Sequence, residues 1–256
     1  MLKLYNSELN SELNKYRGLY SSETISEEEL QKLPSHLQKY FKVTGYSQSI
    51  KIFNAEIVWK SSSIRFEAGK KPIPLKTLQF NSVVEPFRIA YMKALLFGFI
   101  PFEGRDKSAE GFGHMYGKLA KIITIFDAKD KETATSALIT LFAESLLVPG
   151  YVFQPYIKWL GEDKHSVTGK INYKDLHATG RFYFDDAGFF THFETNDRFY
   201  ASSKGKYYNY PWHVYIFNYK KQGDLYIPAK VSAEWDLEGK RFEYYTGEIE
   251  KIRFNI

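Results

Sequence analysis

Cysteine is absent from the 256-residue chain. That one absence excludes disulfide frameworks, thiolate metal sites and cysteine nucleophiles. Long apolar runs are missing too: no window reaches the roughly 18 apolar residues of a membrane span. The first residues, Met1-Leu2-Lys3-Leu4-Tyr5-Asn6, lack the apolar centre of a signal peptide. Blocks of one charge are equally scarce. Lys and Arg number 35 against 30 Asp and Glu, a net +5, yet no Lys/Arg run exceeds two, as at Lys70-Lys71 and Lys220-Lys221. Scattered basic residues do not form the stripe that nucleic acid requires, so no nucleic-acid partner is expected. As written, the chain reads as soluble and cytoplasmic, or as the soluble part of an anchored or exported protein. Oligomeric state is open.

Catalytic signatures are also wanting. The run Gly111-Phe112-Gly113-His114-Met115-Tyr116-Gly117-Lys118 invites a nucleotide-binding reading. A dinucleotide fingerprint, however, needs its third glycine at Tyr116, and a phosphate loop needs Ser or Thr at Leu119. Such glycines more often mark a bulge, or a place where a bulky neighbour such as a ring or the central helix crosses close to the backbone of a strand. No serine sits in a nucleophile-elbow sequence. The six histidines, at 36, 114, 165, 177, 192 and 213, show no metal-helix spacing. His192 and Glu194 share one face of a strand, but two ligands without a third do not make a metal site. No metal and no cofactor are expected.

What the chain does have is aromatic residues, 18% of the total as 21 Phe, 20 Tyr and 4 Trp. Aromatics favour strands, and two-faced Tyr and Trp suit partly wet cavity walls as well as cores. Ser26-Glu27-Glu28-Glu29 is a capping box that starts a helix, Pro34 interrupts it, and a second helix runs from there through Leu37, Tyr40 and Phe41 to a stop at Gly45. From Ser47 the hydrophobic period falls to two, predicting strands at 53–60, 75–84, 87–99, 119–126, 166–173, 176–184, 189–201, 214–219, 225–235 and 241–254. Asp185-Asp186-Ala187-Gly188, Gln222-Gly223-Asp224 and Glu238-Gly239-Lys240 read as hairpin loops. One helix interrupts this pattern at about 130–147, with Asp130 as N-cap and Pro149-Gly150 as terminator. The expected fold class is α+β, a curved antiparallel β-meander wrapped around one central helix. Residues 1–46 form a helical arm docking on the sheet, and 47–256 form a single β domain.

Three carboxylates fall around the central helix: Asp106, Glu110 and Glu144, the last at the border of its apolar stripe. Paired carboxylates can do acid/base work, so Glu144 with Asp106 or His114 is a candidate enzyme centre. A purely structural reading has Glu144 held by an arginine or by backbone amides, and Asp106 fixing a turn. Arg105 and Arg198 are candidate partners for either acid. Trp59 and Trp235 lie in phase with apolar strand residues and read as core. Trp159 and Trp212 lie at strand entrances, where an indole lines a cavity mouth or seals a barrel end.

Taken in order, Leu33-Pro34, Asp106, Gly111, Gly113, Met115, Glu144, Pro149, Trp159, Arg198-Phe199, Pro211-Trp212, Gly223 with Pro228, and Trp235 resemble the pattern of a bacterial family of uncharacterised proteins, a domain of unknown function. The resemblance covers about residues 26 to 256. Phe87 and Phe102 stand where that pattern has tryptophan. The layout it implies looks like the half-barrels that carry lipids or lipoprotein acyl chains. The resemblance and the aromatic content lead to an expected lipid or other apolar ligand, with Asp106, His114, Glu144, Trp159, Arg198 and Trp212 as ligand-binding candidates. Two other readings stay open: an enzyme centred near Glu144 and Asp106, and a membrane-tethered interaction scaffold; peripheral membrane association is open as well. The scaffold would show an exposed apolar patch in place of a cavity.

Overall fold

The computed structural model of the chain describes residues 1–18, 22–202 and 205–256. Three helices open it: α1 (Leu2–Lys15), α2 (Glu27–Gln31) and α3 (Ser35–Thr44). The capping box forms as the sequence predicts, with the Glu29 amide donating to Ser26 and the Ser26 amide donating to Glu29. Gly45 ends α3 at φ 83°, and a Cβ there would stand 2.6 Å from the carbonyl oxygen of Asp224. Glycine is therefore required on both conformational and steric grounds. Polar α1 still docks: Tyr5 is buried against the cluster of Phe80, Phe87, Ile89 and Tyr91, and Glu8 reaches Arg105 at 3.1 Å and Lys107 at 3.0 Å.

Six strands follow: β1 (Asn54–Ile64), β2 (Ile73–Ser82), β3 (Phe87–Leu96), β4 (Ile100–Ala109), β5 (Phe112–Leu119) and β6 (Ile123–Ala128). Helix α4 (Lys131–Ala143) comes next and tightens into 3-10 turns at Glu144–Leu146 and Pro149–Phe153. Its N-cap is Asp130, which accepts from the Thr133 amide. The chain then returns through β7 (Ile157–Glu162), β8 (Ser166–Tyr173), β9 (Leu176–Phe184), β10 (Phe190–Thr195), a small separate hairpin of β11 (Phe199–Ala201) and β12 (Tyr207–Asn209), β13 (Trp212–Gln222), β14 (Leu225–Leu237) and β15 (Lys240–Phe254).

Thirteen of these strands form one sheet in the order β6-β5-β4-β3-β2-β1-β15-β14-β13-β10-β9-β8-β7, antiparallel throughout. The meander thus comes as two runs joined where the first strand meets the last, from Ala55 opposite Phe254 to Ile64 opposite Tyr245. α4 packs on β4 and β5 and also on β9. In a flat sheet β5 and β9 would lie nine strand spacings, about 43 Å, apart, whereas a helix is only about 10 Å across. The sheet therefore curls around α4, which occupies its concave face.

Three local expectations need correction, the first being the strand at 189–201, which divides into β10 of the main sheet and β11 of the separate hairpin. The stretch before α4 is not one short strand at 119–126 but the paired strands β4 and β5 followed by β6, with a turn near 120–122. Glycines and charges at 103–118 obscured the alternation, because one face of β5 meets helix backbone in place of apolar side chains. A Cβ on Gly113 would stand 2.4 Å from the Cα of Ala134, and one on Gly117 would stand 2.3 Å from the Phe126 ring. These are the close crossings that the glycine run implied. Strand β7, unread in the sequence, pairs with β8 through a bulge between Trp159 and Gly161.

Candidate functional site

Between α4 and the concave face lie two adjoining chambers, an inner one of about 150 Å³ and an outer one of about 340 Å³. Strand alternation builds their walls. Arg88, Ala90 and Met92 project from β3 at every second position, and Trp59, Gln79, Val214, Val231, Ala233 and Tyr245 are among the other residues that line the inner chamber. Phe66, Phe102, Phe126, Phe199, Tyr200 and Trp235 wall the outer one. Asp106, Met115, Thr140, Arg198 and Tyr244 border both. Trp235, read from the sequence as core, is buried in the main apolar cluster and also lines the outer chamber, and Trp59 packs against that cluster and lines the inner one.

The inner chamber has a polar end. Arg88 Nε donates to both oxygens of Glu144 at 2.9 Å, and its NH1 donates to Asp106 Oδ2 at 2.8 Å. Gln79 and Asn81 each donate a side-chain amide to Glu144 Oε2 at 2.9 Å. In register, Ala90 faces Asp106 and Arg88 faces Ser108, so Arg88 and Asp106 are diagonal neighbours within reach of long side chains. Burial opposes the charge on Arg88, but Glu144 and Asp106 outweigh it and hold its pKa above the ordinary arginine value. The expected arginine partner of Glu144 exists, yet it is Arg88 and neither Arg105 nor Arg198. Asp106 lies within β4 and fixes no turn.

Arg198 takes a different place. Its guanidinium lies 4.3 Å over the ring of Trp212, and its NH1 donates to the Ser136 carbonyl and the Thr140 hydroxyl on α4. Its Nε is buried with no hydrogen-bond partner among the described residues, and so is the Nε of Arg65 at the outer chamber. Trp212 is 1% exposed and donates its indole N–H to the Tyr244 hydroxyl at 3.2 Å.

Asp106, Glu144, Arg198 and Trp212 therefore come together at the cavity, whereas His114 and Trp159 do not. His114 is one residue out of phase with cavity-facing Met115. It bonds Asp127 at 2.7 Å and receives Arg105 on its Nδ1 at 3.2 Å. Trp159 packs on Phe142 and Phe182 at the other end of the sheet and donates to the Val152 carbonyl at 3.2 Å. Arg88, Gln79, Asn81 and Tyr245 went unnoticed in the sequence. Arg88 carried a usable signal, because an arginine inside the apolar run Phe87–Leu96 must find an acid if it is buried.

On the sheet outside the cavity, His192, Glu194 and His213 place their donor atoms within 4.8 Å of one another. His213 is the third ligand that the pair His192/Glu194 lacked, brought across by the register of Glu194 with His213. Two imidazoles and a carboxylate could hold a divalent transition metal. The same atoms also satisfy one another: His192 Nε2 and His213 Nδ1 are 2.9 Å apart, and Glu194 accepts from Tyr183. His192 is sandwiched between Tyr183 and Tyr215, with ring centroids 4.9 Å and 4.4 Å away. Burial, with help from His213, lowers its pKa to about 4.

Among solved structures the chain is similar to a provisionally assigned outer membrane lipoprotein-sorting domain from Vibrio parahaemolyticus, with TM-score 0.45 and 10% identity over 79% of this chain and 86% of that one. A LolA superfamily protein from Nitrosomonas europaea matches with TM-score 0.44 and 8% identity over 87% and 93%. A DUF1329 family protein from Desulfovibrio piger matches with TM-score 0.44 and 10% identity over 80% and 87%. No curated protein matches. The profile of DUF6544, a family of unknown function, matches residues 23–247, and the chain belongs to that family.

Proposed function

We propose that the protein binds a lipid: an apolar molecule whose chain lies in the two chambers and whose acidic or oxygen-rich head meets Arg198. The observation that carries this reading is an aromatic-walled cavity in which the Arg198 guanidinium lies over the Trp212 ring, with its Nε buried and without a partner among the described residues. A buried donor without a partner costs roughly 1–3 kcal/mol, and a ligand oxygen would relieve that cost. The size supports it as well, since small-molecule sites span roughly 300–1,000 Å³ and are mostly apolar with a few convergent polar groups. The enzyme reading has less support. Glu144 and Asp106 are committed to Arg88, Gln79 and Asn81, which leaves neither carboxylate poised as a free acid or base.

The test is native mass spectrometry with solvent extraction on protein purified from its host, followed by titration with a panel of fatty acids and phospholipids. Arg198→Met is expected to weaken binding of the acidic members about tenfold while Arg198→Lys retains part of it. Repeated recovery without an apolar molecule, together with no binding from the panel, would sink the proposal.

A further inference from the structure

Three neighbouring connections of the β1–β6 half meet at one end of the sheet, the end that also carries the β14–β15 turn with Asp236, Glu238, Lys240 and Arg241: residues 65–72 between β1 and β2, the β3–β4 turn and the β5–β6 turn. The register requires this, with Ile64 opposite Ile73, Leu96 opposite Ile100 and Leu119 opposite Ile123. The Ala120 amide also donates to the Pro101 carbonyl at 2.7 Å and ties two of the tips together. They carry the three most exposed large apolar side chains among the described residues, Phe97 at 85%, Ile122 at 80% and Phe99 at 73%, and Ile123 beside them is 58% exposed. Phe112, at 72%, lies on the opposite end.

Two features set these tips apart from ordinary loops. Phe97 and Gly98 have φ of 53° and 84°, and Ala120 and Lys121 have φ of 50° and 64°. Tight turns with two positive φ values normally carry Asn or Gly, so a largely exposed Phe in that conformation is costly both to its backbone and to its solvation. The second feature is charge. Within 65–76, 93–101 and 118–125 the basic residues are Arg65, Lys70, Lys71, Lys76, Lys93, Lys118 and Lys121, and the one acid is Glu67. Apolar tips ringed by basic side chains match an anionic lipid surface, where rings enter the interface and lysines stay at the headgroups.

We propose that this end of the sheet docks on an anionic bilayer. Docking would present the outer chamber to lipid, because Phe66 sits edge-on to Phe102 at 6.2 Å, Phe102 meets Phe126 at 6.2 Å, and all three line that chamber. Docking at this end is independent of what the cavity holds.

The test is flotation with vesicles of phosphatidylcholine alone or mixed with phosphatidylglycerol. It uses wild type, the triple variant Phe97→Ser/Phe99→Ser/Ile122→Ser, the triple variant Lys70→Glu/Lys71→Glu/Lys121→Glu, and the reporter Phe97→Trp. Wild type is expected to float with the anionic vesicles and to lose about tenfold in affinity between about 0.05 and 0.5 M salt. Each triple variant loses at least about tenfold while keeping the wild-type melting temperature, and the reporter's emission shifts to the blue on anionic vesicles. Absence of binding, equal binding by the variants, or a patch that sedimentation shows to be covered by a second copy of the chain would overturn the proposal. Extracted ligand and vesicle binding are separate readouts, so the docking proposal and the lipid-cavity reading can fail independently.

Discussion

At Arg88 three charges meet with little water. The side chains of Arg88, Glu144 and Asp106 are 11%, 14% and 17% exposed. Removing one partner of such a group is severe when it leaves a buried charge uncompensated. Arg88→Met strands two carboxylates and is expected to cost about 3–5 kcal/mol. Glu144→Gln leaves Arg88 with Asp106 and keeps a side-chain carbonyl for Gln79 or Asn81, so it should cost about 1–3 kcal/mol. Urea unfolding of both variants checks the order; equal losses, or a larger loss for Glu144→Gln, would contradict it. If lipid binding is the function, Glu144→Gln should lower stability more than it lowers binding. The carboxylates and Trp212 stood out in the sequence because they fall around the central helix and at a strand entrance. Arg88 did not, because its partner Glu144 is 56 residues away and only the fold brings them together.

Among the elements, α4 and β5 are the tightest fit. Gly113→Ala would push a methyl against the Cα of Ala134, 2.4 Å away, and helix backbone cannot turn aside. The expected loss is about 1–3 kcal/mol or more. Gly161→Ala, where nothing lies within 4 Å, is the control and should stay within about 0.5 kcal/mol. Thermal melts that show the two variants alike would refute the close-crossing account. Elements defined by local signals were readable: the Ser26 box, the Gly45 stop, the Asp130 cap, and β8 and β9 at their observed limits. β4, β5 and β7 were not, because their patterning answers to a helix backbone, an ion cluster and a bulge in place of a plain apolar face.

For the molecule as a whole, the aromatic content makes a prediction about alkali. Tyr40, Tyr46 and Tyr151 are fully buried, and burial raises their pKa well above the ordinary phenol value. Tyr245 is likewise raised, first by burial, against the opposing charge of Arg88. In the unfolded chain these phenols ionise near pH 10, whereas in the folded protein they keep their protons. Their contribution is therefore complete below about pH 10 and is lost as pH rises, by about 1.4 kcal/mol per pH unit for each tyrosine. The melting temperature should fall steeply between about pH 10 and 11; a flat profile across that interval would mean that the phenols are not held in their neutral form.

Length, patterning and turn chemistry were enough to specify an antiparallel chain with one central helix, because caps, glycine stops and period-two alternation act over a few residues. The same information excluded thiol chemistry, nucleotide loops and helical membrane spans. Only the tertiary structure decided which residues meet: β1 closing on β15, Arg88 reaching Glu144 and Asp106, Arg198 lying on Trp212, and three hairpin tips gathered at one end. Those contacts depend on the register and curl of thirteen strands, which no local window of the sequence encodes.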